Sequence, residues 1–219
     1  MSIDSTRHIV QRRIFDKPQR LLHWAIALGV MFQLVSAWLI QHADIDVIAW
    51  ADWHAMVGQA LIVALGYRLF LLLRPGSGHW RLFVPSREQR HVAAQTLKFY
   101  LSLGRLDCPD WYAYNPLWQP VYLLMIVVMI IASLSGLATG ASVAGIDMTS
   151  LHSLSSSIIL YFSLLHIGFS ILHDARGNGG QISAMLNGNK YFHPRQPDGS
   201  GLAGIEAENS VSLDSLLKK

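Results

Sequence analysis

Four long apolar segments dominate this chain of 219 residues and limit what it can fold into. They cover residues 21–40, 55–73, 120–139 and 155–172, and none of them contains Asp, Glu or Lys. Each is close to the length that an α-helix needs to cross about 30 Å of hydrocarbon. Only 14% of the residues are charged, against about 25% in soluble domains. The pattern therefore predicts an all-α membrane protein with a four-helix transmembrane bundle.

The predicted membrane domain covers residues 21–175. With their flanking turns, its four spans are predicted at 21–40, 52–73, 119–139 and 150–173. No small-residue cleavage site follows the basic segment 1–20 and the first span, which predicts a retained helix rather than a signal peptide. The tail, residues 176–219, is rich in Gly, Ser and polar residues from about 194 and is expected to be flexible beyond that point.

The connection between the second and third spans contains one further candidate element. Residues 87–103 alternate basic and apolar positions at near-helical spacing. This pattern predicts a helix that lies along the cytoplasmic membrane surface. A solvated loop helix explains the same pattern nearly as well.

Basic residues are distributed very unevenly between the predicted connections. Sixteen of the seventeen Lys and Arg residues lie in 1–20, 74–118 or 176–219, whereas 41–54 and 140–151 contain none. Short loops rich in Lys and Arg stay in the cytoplasm, so both termini and the middle connection are predicted to be cytoplasmic. The basic residues thus set the topology, and the net charge of +3 gives no reason to expect nucleic-acid binding.

Two histidines, His152 and His166, lie fourteen residues apart in the fourth span. On an α-helix this spacing corresponds to about 21 Å along the axis, and the two side chains leave within about 40° of one face. Two imidazoles placed in this way can each provide an axial ligand to a haem iron, one near each membrane surface. The single cysteine, Cys108, cannot form a C-x-x-C-H attachment site, so such a haem would be held non-covalently.

Two more histidines lie at matching depths in other spans. The predicted topology places His23 with His166 in the cytoplasmic half (the inner pair) and His54 with His152 in the outer half (the outer pair). Ionisable groups in hydrocarbon are rare and usually functional, and imidazole is a good haem ligand. These four residues are therefore predicted to be axial ligands, in preference to histidines that only hydrogen-bond across the bundle. The other histidines, which include His173 at a span end, are expected to reach water.

Gly58 and Arg68 follow His54 by four and fourteen residues and lie close to its face of the helix. The missing side chain of Gly58 is predicted to leave room for a flat macrocycle, and close contact between helices is the other explanation for a glycine there. Arg68 is predicted near the depth of the inner pair, where a lone arginine costs about 2.5–3.5 kcal/mol. Haem propionates would offset its charge by a bidentate contact, and lipid phosphate would do so equally well.

Several motifs carry these residues. They are F-D-K-P-x-R-x-x-H-W at Phe15–Trp24, H-x-x-x-G with an arginine ten residues on, Y-N-P-L at Tyr114–Leu117, H-x13-H in the fourth span, and I-S-A-M-L-N-G-N-K-Y-F at Ile182–Phe192. From about Arg13 to Phe192 the chain resembles the b-type cytochrome subunits of membrane-bound nickel–iron hydrogenases, within the prokaryotic cytochrome b561 superfamily.

The resemblance implies two non-covalent haem b groups, the outer one held by His54 and His152 and the inner one by His23 and His166. It also implies a multi-pass protein of the bacterial inner (cytoplasmic) membrane. Such a protein transfers electrons between an extracytoplasmic redox protein, hydrogenase-like or a c-type cytochrome, and the membrane quinone pool. The candidate quinone contacts are Arg20, Arg68 and the Tyr114–Asn115 pair.

Two other functions compete with this prediction. A b561-type quinol oxidase acting on a small acceptor such as superoxide would favour cations near the outer haem. The outer connections have no Lys or Arg and carry the acidic residues Asp44, Asp46, Asp52 and Asp147. A histidine-based metal-ion transporter usually has carboxylates within the membrane, and the four apolar segments have none.

Overall fold

Four long helices form the body of the protein. The computed structural model describes residues 9–43, 46–107, 109, 111, 113–178, 180–192 and 210–211. The long helices are α1 (Lys17–His42), α2 (Val47–Leu73), α4 (Gln119–Leu137) and α5 (Met148–His173). The shortest has 19 residues, about 28 Å at 1.5 Å per residue. All four are long and apolar enough to cross a membrane, as the sequence predicted.

Two shorter helices lie outside these spans. They are α3 (Arg87–Leu101), in the connection between α2 and α4, and α6 (Gln181–Asn187), after α5 and a short π-helical turn. Ser86 and Gln89 start α3 with a reciprocal capping box. One face of α3 is buried: Thr96 and Phe99 are fully enclosed, and the Tyr100 ring stacks on Phe169 of α5 with centres 4.2 Å apart. This helix therefore packs against the end of the bundle.

Aspartate side chains fix the start of three long helices. In each case a carboxylate oxygen accepts a hydrogen bond from a backbone N–H in the first turn, which satisfies a donor that the helix leaves unpaired. The pairs are Asp16 with Gln19, Asp46 with Ala49, and Asp147 with Ser150. The same Ser150 hydroxyl and N–H hold the pKa of Asp147 below its usual range. Because of these caps, α1 and α2 begin four and five residues earlier than the predicted spans 21–40 and 52–73.

Short β-strands join the two ends of the chain, and the prediction of an all-α protein omitted them. The strand β1 (Ile9–Arg13) pairs antiparallel with β4 (Asn189–Phe192) and, on its other edge, with β5 (Ser210–Val211). The strands β2 (Ser142–Val143) and β3 (Ile146–Asp147) form a small hairpin between α4 and α5. The rest of the tail beyond 192, where flexibility was predicted, lies outside the described residues.

The helices pack as two antiparallel hairpins. Helix α1 packs on α2, α4 packs on α5, and α2 joins the hairpins through α4. A buried apolar cluster lies at the end of the bundle where β1, α6 and the α2–α4 connection meet. Its members are Ile14, Phe15, Leu65, Leu72, Phe83, Tyr114, Ile126 and Ala184. Elsewhere, large apolar side chains cover the outer faces of the four long helices, as lipid contact requires.

The β1–β4 pairing predicts that both ends of the chain lie on the same side of the membrane. Fusing a topology reporter before residue 1 or after residue 219 is expected to give the same sidedness in both cases. The reason is that β1 precedes α1 and β4 follows α5, so their register brings the ends together after four crossings. Alkaline phosphatase and green fluorescent protein fusions provide the measurement. Opposite sidedness of the two fusions would contradict the fold.

Candidate functional site

The structure brings the four predicted ligand histidines together as two pairs. His23 of α1 faces His166 of α5, with ring centres 6.3 Å apart and ring planes at 68°. His54 of α2 faces His152 of α5, also with centres 6.3 Å apart, and their planes lie at 80°. These are the inner and outer pairs that sequence depth predicted.

The spacing within each pair fits a metal ion held between two imidazoles. A ring nitrogen lies about 1.1 Å from the ring centre, and a metal–imidazole bond measures about 2.0–2.1 Å. Two rings that share one metal ion therefore have centres about 6.2–6.4 Å apart. Both pairs meet this requirement. Within the described residues, no group of three or more His, Cys, Asp or Glu side chains could hold a metal ion.

The outer pair has its Nδ1 atoms engaged by the protein. His152 Nδ1 lies 2.8 Å from the carbonyl oxygen of Ala132 on α4. A carbonyl can only accept, so His152 Nδ1 carries the proton and Nε2 keeps its lone pair for a metal. His54 Nδ1 lies 2.8 Å from Ser36 Oγ on α1. Metal-binding histidines characteristically use their second ring nitrogen in this way.

The inner pair is enclosed by aromatic rings instead. The His166 ring stacks on Phe162 at 5.6 Å with planes 10° apart, and Tyr122 meets it edge-on at 5.8 Å. His23 has the Trp24 ring edge-on at 5.6 Å. Neither inner imidazole makes a hydrogen bond within the part of the chain that the structure describes. The two pairs are therefore held by different means.

A cavity of about 520 Å³ adjoins the inner pair. His23 and His166 line it from α1 and α5, and Arg68 lines it from α2. Its volume lies within the range of about 300–1,000 Å³ that is typical of small-molecule and cofactor pockets. His54 and His152 are not part of its lining. The inner half of the bundle thus contains an apolar space next to two imidazoles and a cation.

Arg68 is buried in the wall of this cavity, with 8% of its surface exposed. Its Nη1 donates to the carbonyl oxygen of Gly78 at 3.2 Å, and its guanidinium carbon lies 5.1 Å from the centre of the Phe83 ring. Among the described residues no carboxylate forms an ion pair with it. A buried cation without a counter-charge is costly, so this corner of the cavity fits an anionic group.

Further polar groups line the same end of the cavity. The Tyr114 hydroxyl donates to the Ser77 carbonyl at 2.7 Å and accepts from Gln19 Nε2 at 3.3 Å. Burial raises the pKa of Tyr114, so its hydroxyl remains a donor. Gln19 Oε1 and Trp111 Nε1 are buried without a hydrogen-bond partner. The cavity therefore offers an unused acceptor and an unused donor to a bound molecule.

The predicted quinone contacts are placed differently from one another. Arg68, Tyr114 and Asn115 line the cavity. Arg20 does not; its Nη1 donates to the Leu186 carbonyl at the end of α6. Asn115 is also occupied locally, because its amide nitrogen donates to the Tyr100 hydroxyl at 2.8 Å.

Two glycines lie next to the outer pair. Gly58 faces α1, and a Cβ there would stand 2.7 Å from Gln33 Nε2, so the amide of Gln33 takes up the space beside it. Gly136 of α4 faces His152, and a Cβ there would stand 2.9 Å from its Cε1 and 3.0 Å from its Nδ1. The sequence singled out Gly58, but only Gly136 directly makes room for an imidazole of the pair.

The structure contradicts the prediction that His173 is exposed to water. This residue was expected to reach water at the end of the fourth span, but only 2% of its surface is exposed. Its ring lies 4.4 Å from Trp111 and 6.2 Å from Phe99, between centres. The prediction was wrong because α3 and the segment after it cover the end of α5. Cys108, His8 and His193 lie outside the described residues.

The sequence analysis missed Ser36, the Ala132 carbonyl and Gly136. The sequence spacing could have indicated them. Ser36 and His54 lie 18 positions apart on either side of the α1–α2 connection, and Ala132 and His152 lie 20 positions apart on either side of the α4–α5 connection. In an antiparallel helix pair, residues at equal distances before and after the connection face each other, so counting back from each histidine gives the facing position. A serine or glycine there is a candidate partner.

Replacing Gly136 with Ala is expected to disturb the outer pair selectively. The added methyl group would press on the His152 ring, which the Ala132 carbonyl holds in place. The reduced-minus-oxidised visible spectrum of the haem should therefore shift or lose intensity. Gly168→Ala on α5 is the matched control, since nothing lies within 4 Å of its added carbon. An unaltered spectrum for Gly136→Ala would contradict the placement of His152.

Comparison with known proteins identifies the family of the chain. A family model described as prokaryotic cytochrome b561 matches residues 14–188, which include both histidine pairs and all four long helices. No curated protein and no solved structure shows significant similarity to the chain. The match covers most of the 219 residues. The chain therefore belongs to the prokaryotic cytochrome b561 family and is a multi-pass membrane haem b electron-transfer protein.

Proposed function

We propose that this protein is a di-haem cytochrome that transfers electrons between an extracytoplasmic redox protein and the membrane quinone pool. The observation that carries the proposal is the presence of two facing imidazole pairs, each with centres 6.3 Å apart. In this proposal the spans within residues 21–175 form the haem-binding domain. His54 and His152 are the axial ligands of the outer haem, and His23 and His166 those of the inner haem.

When bound, haem b supplies a one-electron Fe(III)/Fe(II) couple. The four histidines would hold the haem iron through imidazole nitrogens, a ligand set that suits electron transfer. His152 and His54 keep Nε2 free because their Nδ1 atoms are engaged. Phe162 and Tyr122 pack around His166 and give the inner site an apolar surrounding. Such a surrounding limits the reorganisation that accompanies a change of charge.

Arg68 is proposed to hold the propionates of the inner haem. It is buried beside the inner pair, lines the cavity and lacks a carboxylate partner among the described residues. Its burial argues against the alternative contact with lipid phosphate, which would require the side chain to extend outward. Gly58 is retained in the proposed site as the residue that lets α1 approach α2 beside His54.

The polar end of the same cavity is proposed to receive the quinone head group. A quinone carbonyl accepts hydrogen bonds and a quinol hydroxyl donates them. Trp111 Nε1 provides an unused donor and Gln19 Oε1 an unused acceptor, both buried next to apolar rings. Tyr114 remains protonated there because burial raises its pKa. Arg68, Tyr114 and Asn115 remain proposed quinone contacts. Arg20 is no longer one of them, because its side chain donates to the Leu186 carbonyl of α6.

The orientation and the partner complete the proposal. The distribution of Lys and Arg supports cytoplasmic termini in a bacterial inner membrane, with the outer pair toward the extracytoplasmic side. A hydrogenase-like partner is favoured by two motifs of that branch. Tyr114–Leu117 precedes α4 and lines the cavity in part, and Ile182–Phe192 forms most of α6 and all of β4. A c-type cytochrome is the other partner class that this arrangement would serve.

Alanine variants of the histidines test the ligand assignment. His54→Ala and His152→Ala are each expected to lose the outer haem and keep the inner one, because a single imidazole cannot hold the iron in this site. His23→Ala and His166→Ala should do the reverse. The haem-to-protein ratio and the reduced α-band spectrum are the measurements. His42→Ala, at the exposed end of α1, is the control. A colourless wild-type protein, or unchanged haem content in all four variants, would overturn the proposal.

Arg68→Gln tests the propionate contact. Removing the cation is expected to weaken retention of the inner haem by about 1.5–3 kcal/mol, the worth of a hydrogen bond to a charged group. It should also lower the midpoint potential of that haem, since a nearby positive charge favours the reduced iron. Redox titration of the purified protein measures this, with exposed Arg74→Gln as the control. Equal potentials and equal haem content in the two variants would rule out the contact.

A further inference from the structure

Ser36 lies at the centre of the contact between α1 and α2, and none of its surface is exposed. It is a small polar residue in a largely apolar part of α1, and the histidine that it contacts belongs to α2. Its Oγ lies 2.8 Å from His54 Nδ1 and 3.1 Å from the Gln33 carbonyl oxygen one turn earlier. A buried hydroxyl with two partners is constrained, because its single hydrogen can be donated to only one of them and its oxygen must accept from the other.

The Gln33 carbonyl settles the direction of both hydrogen bonds. A carbonyl oxygen only accepts, so the single hydroxyl hydrogen of Ser36 is donated to Gln33. The Ser36 oxygen must then accept from His54, which places the imidazole proton on Nδ1. The lone pair of His54 is left on Nε2, the nitrogen that remains for a metal.

This arrangement is confined to the outer pair. The partner ring, His152, is fixed in the same tautomer by the Ala132 carbonyl, which also accepts from Ser135 Oγ at 3.2 Å. Within the described part of the chain, neither His23 nor His166 has such a contact. Donation from the second ring nitrogen makes an imidazole a stronger ligand and fixes the plane of its ring.

We propose that Ser36 is a positioning residue for the outer haem, acting through His54 to fix its tautomer, its ring orientation and its strength as an iron ligand. The inference rests on the proposed function, in which His54 is a ligand. It assigns to α1 a part in both haem sites, with His23 as a direct ligand of the inner one and Ser36 as an indirect determinant of the outer one. It also predicts that the potentials of the two haems respond to different substitutions.

The test compares Ser36→Ala with Ser36→Thr in the haem-loaded protein purified in detergent. Ser36→Ala removes the acceptor and leaves His54 Nδ1–H without a partner. The outer haem is expected to shift to a higher midpoint potential, because a weaker donor ligand stabilises the ferric iron less. Its low-spin ferric resonance should shift as well, and its retention should fall about 10–100-fold. Ser36→Thr keeps the hydroxyl and should restore all three values.

Ser155→Ala is the matched control. Ser155 is another buried serine, three residues from His152, but its Oγ donates only within α5, to the Leu151 carbonyl at 2.8 Å. This variant loses the same atom at a comparable depth, so the potentials and the ferric resonances of both haems should match those of the wild type.

The outcomes separate the inference from the proposed function. A wild-type protein with one haem, or a His54→Ala variant that keeps both, would defeat the ligand assignment whatever Ser36 does. With that assignment intact, a changed or lost outer haem in Ser36→Ala beside an unchanged inner haem supports the positioning role. An unchanged potential and resonance overturns it. Loss of both haems also overturns it, because Ser36 would then act through helix packing alone.

Discussion

A buried imidazole is stabilised when its ring nitrogens have partners, and hydrogen bonds to Nδ1 organise the outer half of the molecule. Burying a polar group without a hydrogen-bond partner costs roughly 2–7 kcal/mol, as judged from its transfer from water to an apolar medium. Neighbouring helices provide the partners for Nδ1, through Ser36 and the Ala132 carbonyl. What remains available on each ring is the Nε2 lone pair, and the two ring centres lie 6.3 Å apart. In the proposed function, this remaining lone pair binds haem iron.

The two histidine pairs are held in place by different kinds of contact. The outer pair is fixed by hydrogen bonds across two helical hairpins, and glycine at position 136 makes the close approach possible. The inner pair is surrounded by aromatic rings and opens onto a cavity with Arg68 in its wall. The inner half therefore has a cavity with a cation in its wall, and neither His54 nor His152 lines that cavity.

Much of this arrangement follows from hydropathy and helical spacing. The number of spans was predicted from four apolar segments, and the pairing of His23 with His166 and of His54 with His152 followed from depth alone. These inferences succeed because lipid imposes one length and one secondary structure on every span. The strand β1 escaped prediction because its two arginines were interpreted only as topology signals. The burial of His173 escaped it because α3 covers that histidine through contacts between residues more than seventy positions apart.

The strand ladder between β1 and β4 has a mechanical consequence for the inner histidines. Strand β1 leads into α1, which carries His23, and β4 follows α6 and α5, which carries His166. Arg20 and Trp24 add two hydrogen bonds from α1 to the last carbonyls of α6. The helices α1 and α5, which flank the inner cavity, are thus connected through the strands and α6 at one end of the bundle. The strand pairing and these two hydrogen bonds therefore link the helices that carry His23 and His166, so a force applied to either end of the chain would reach the inner pair before the outer pair.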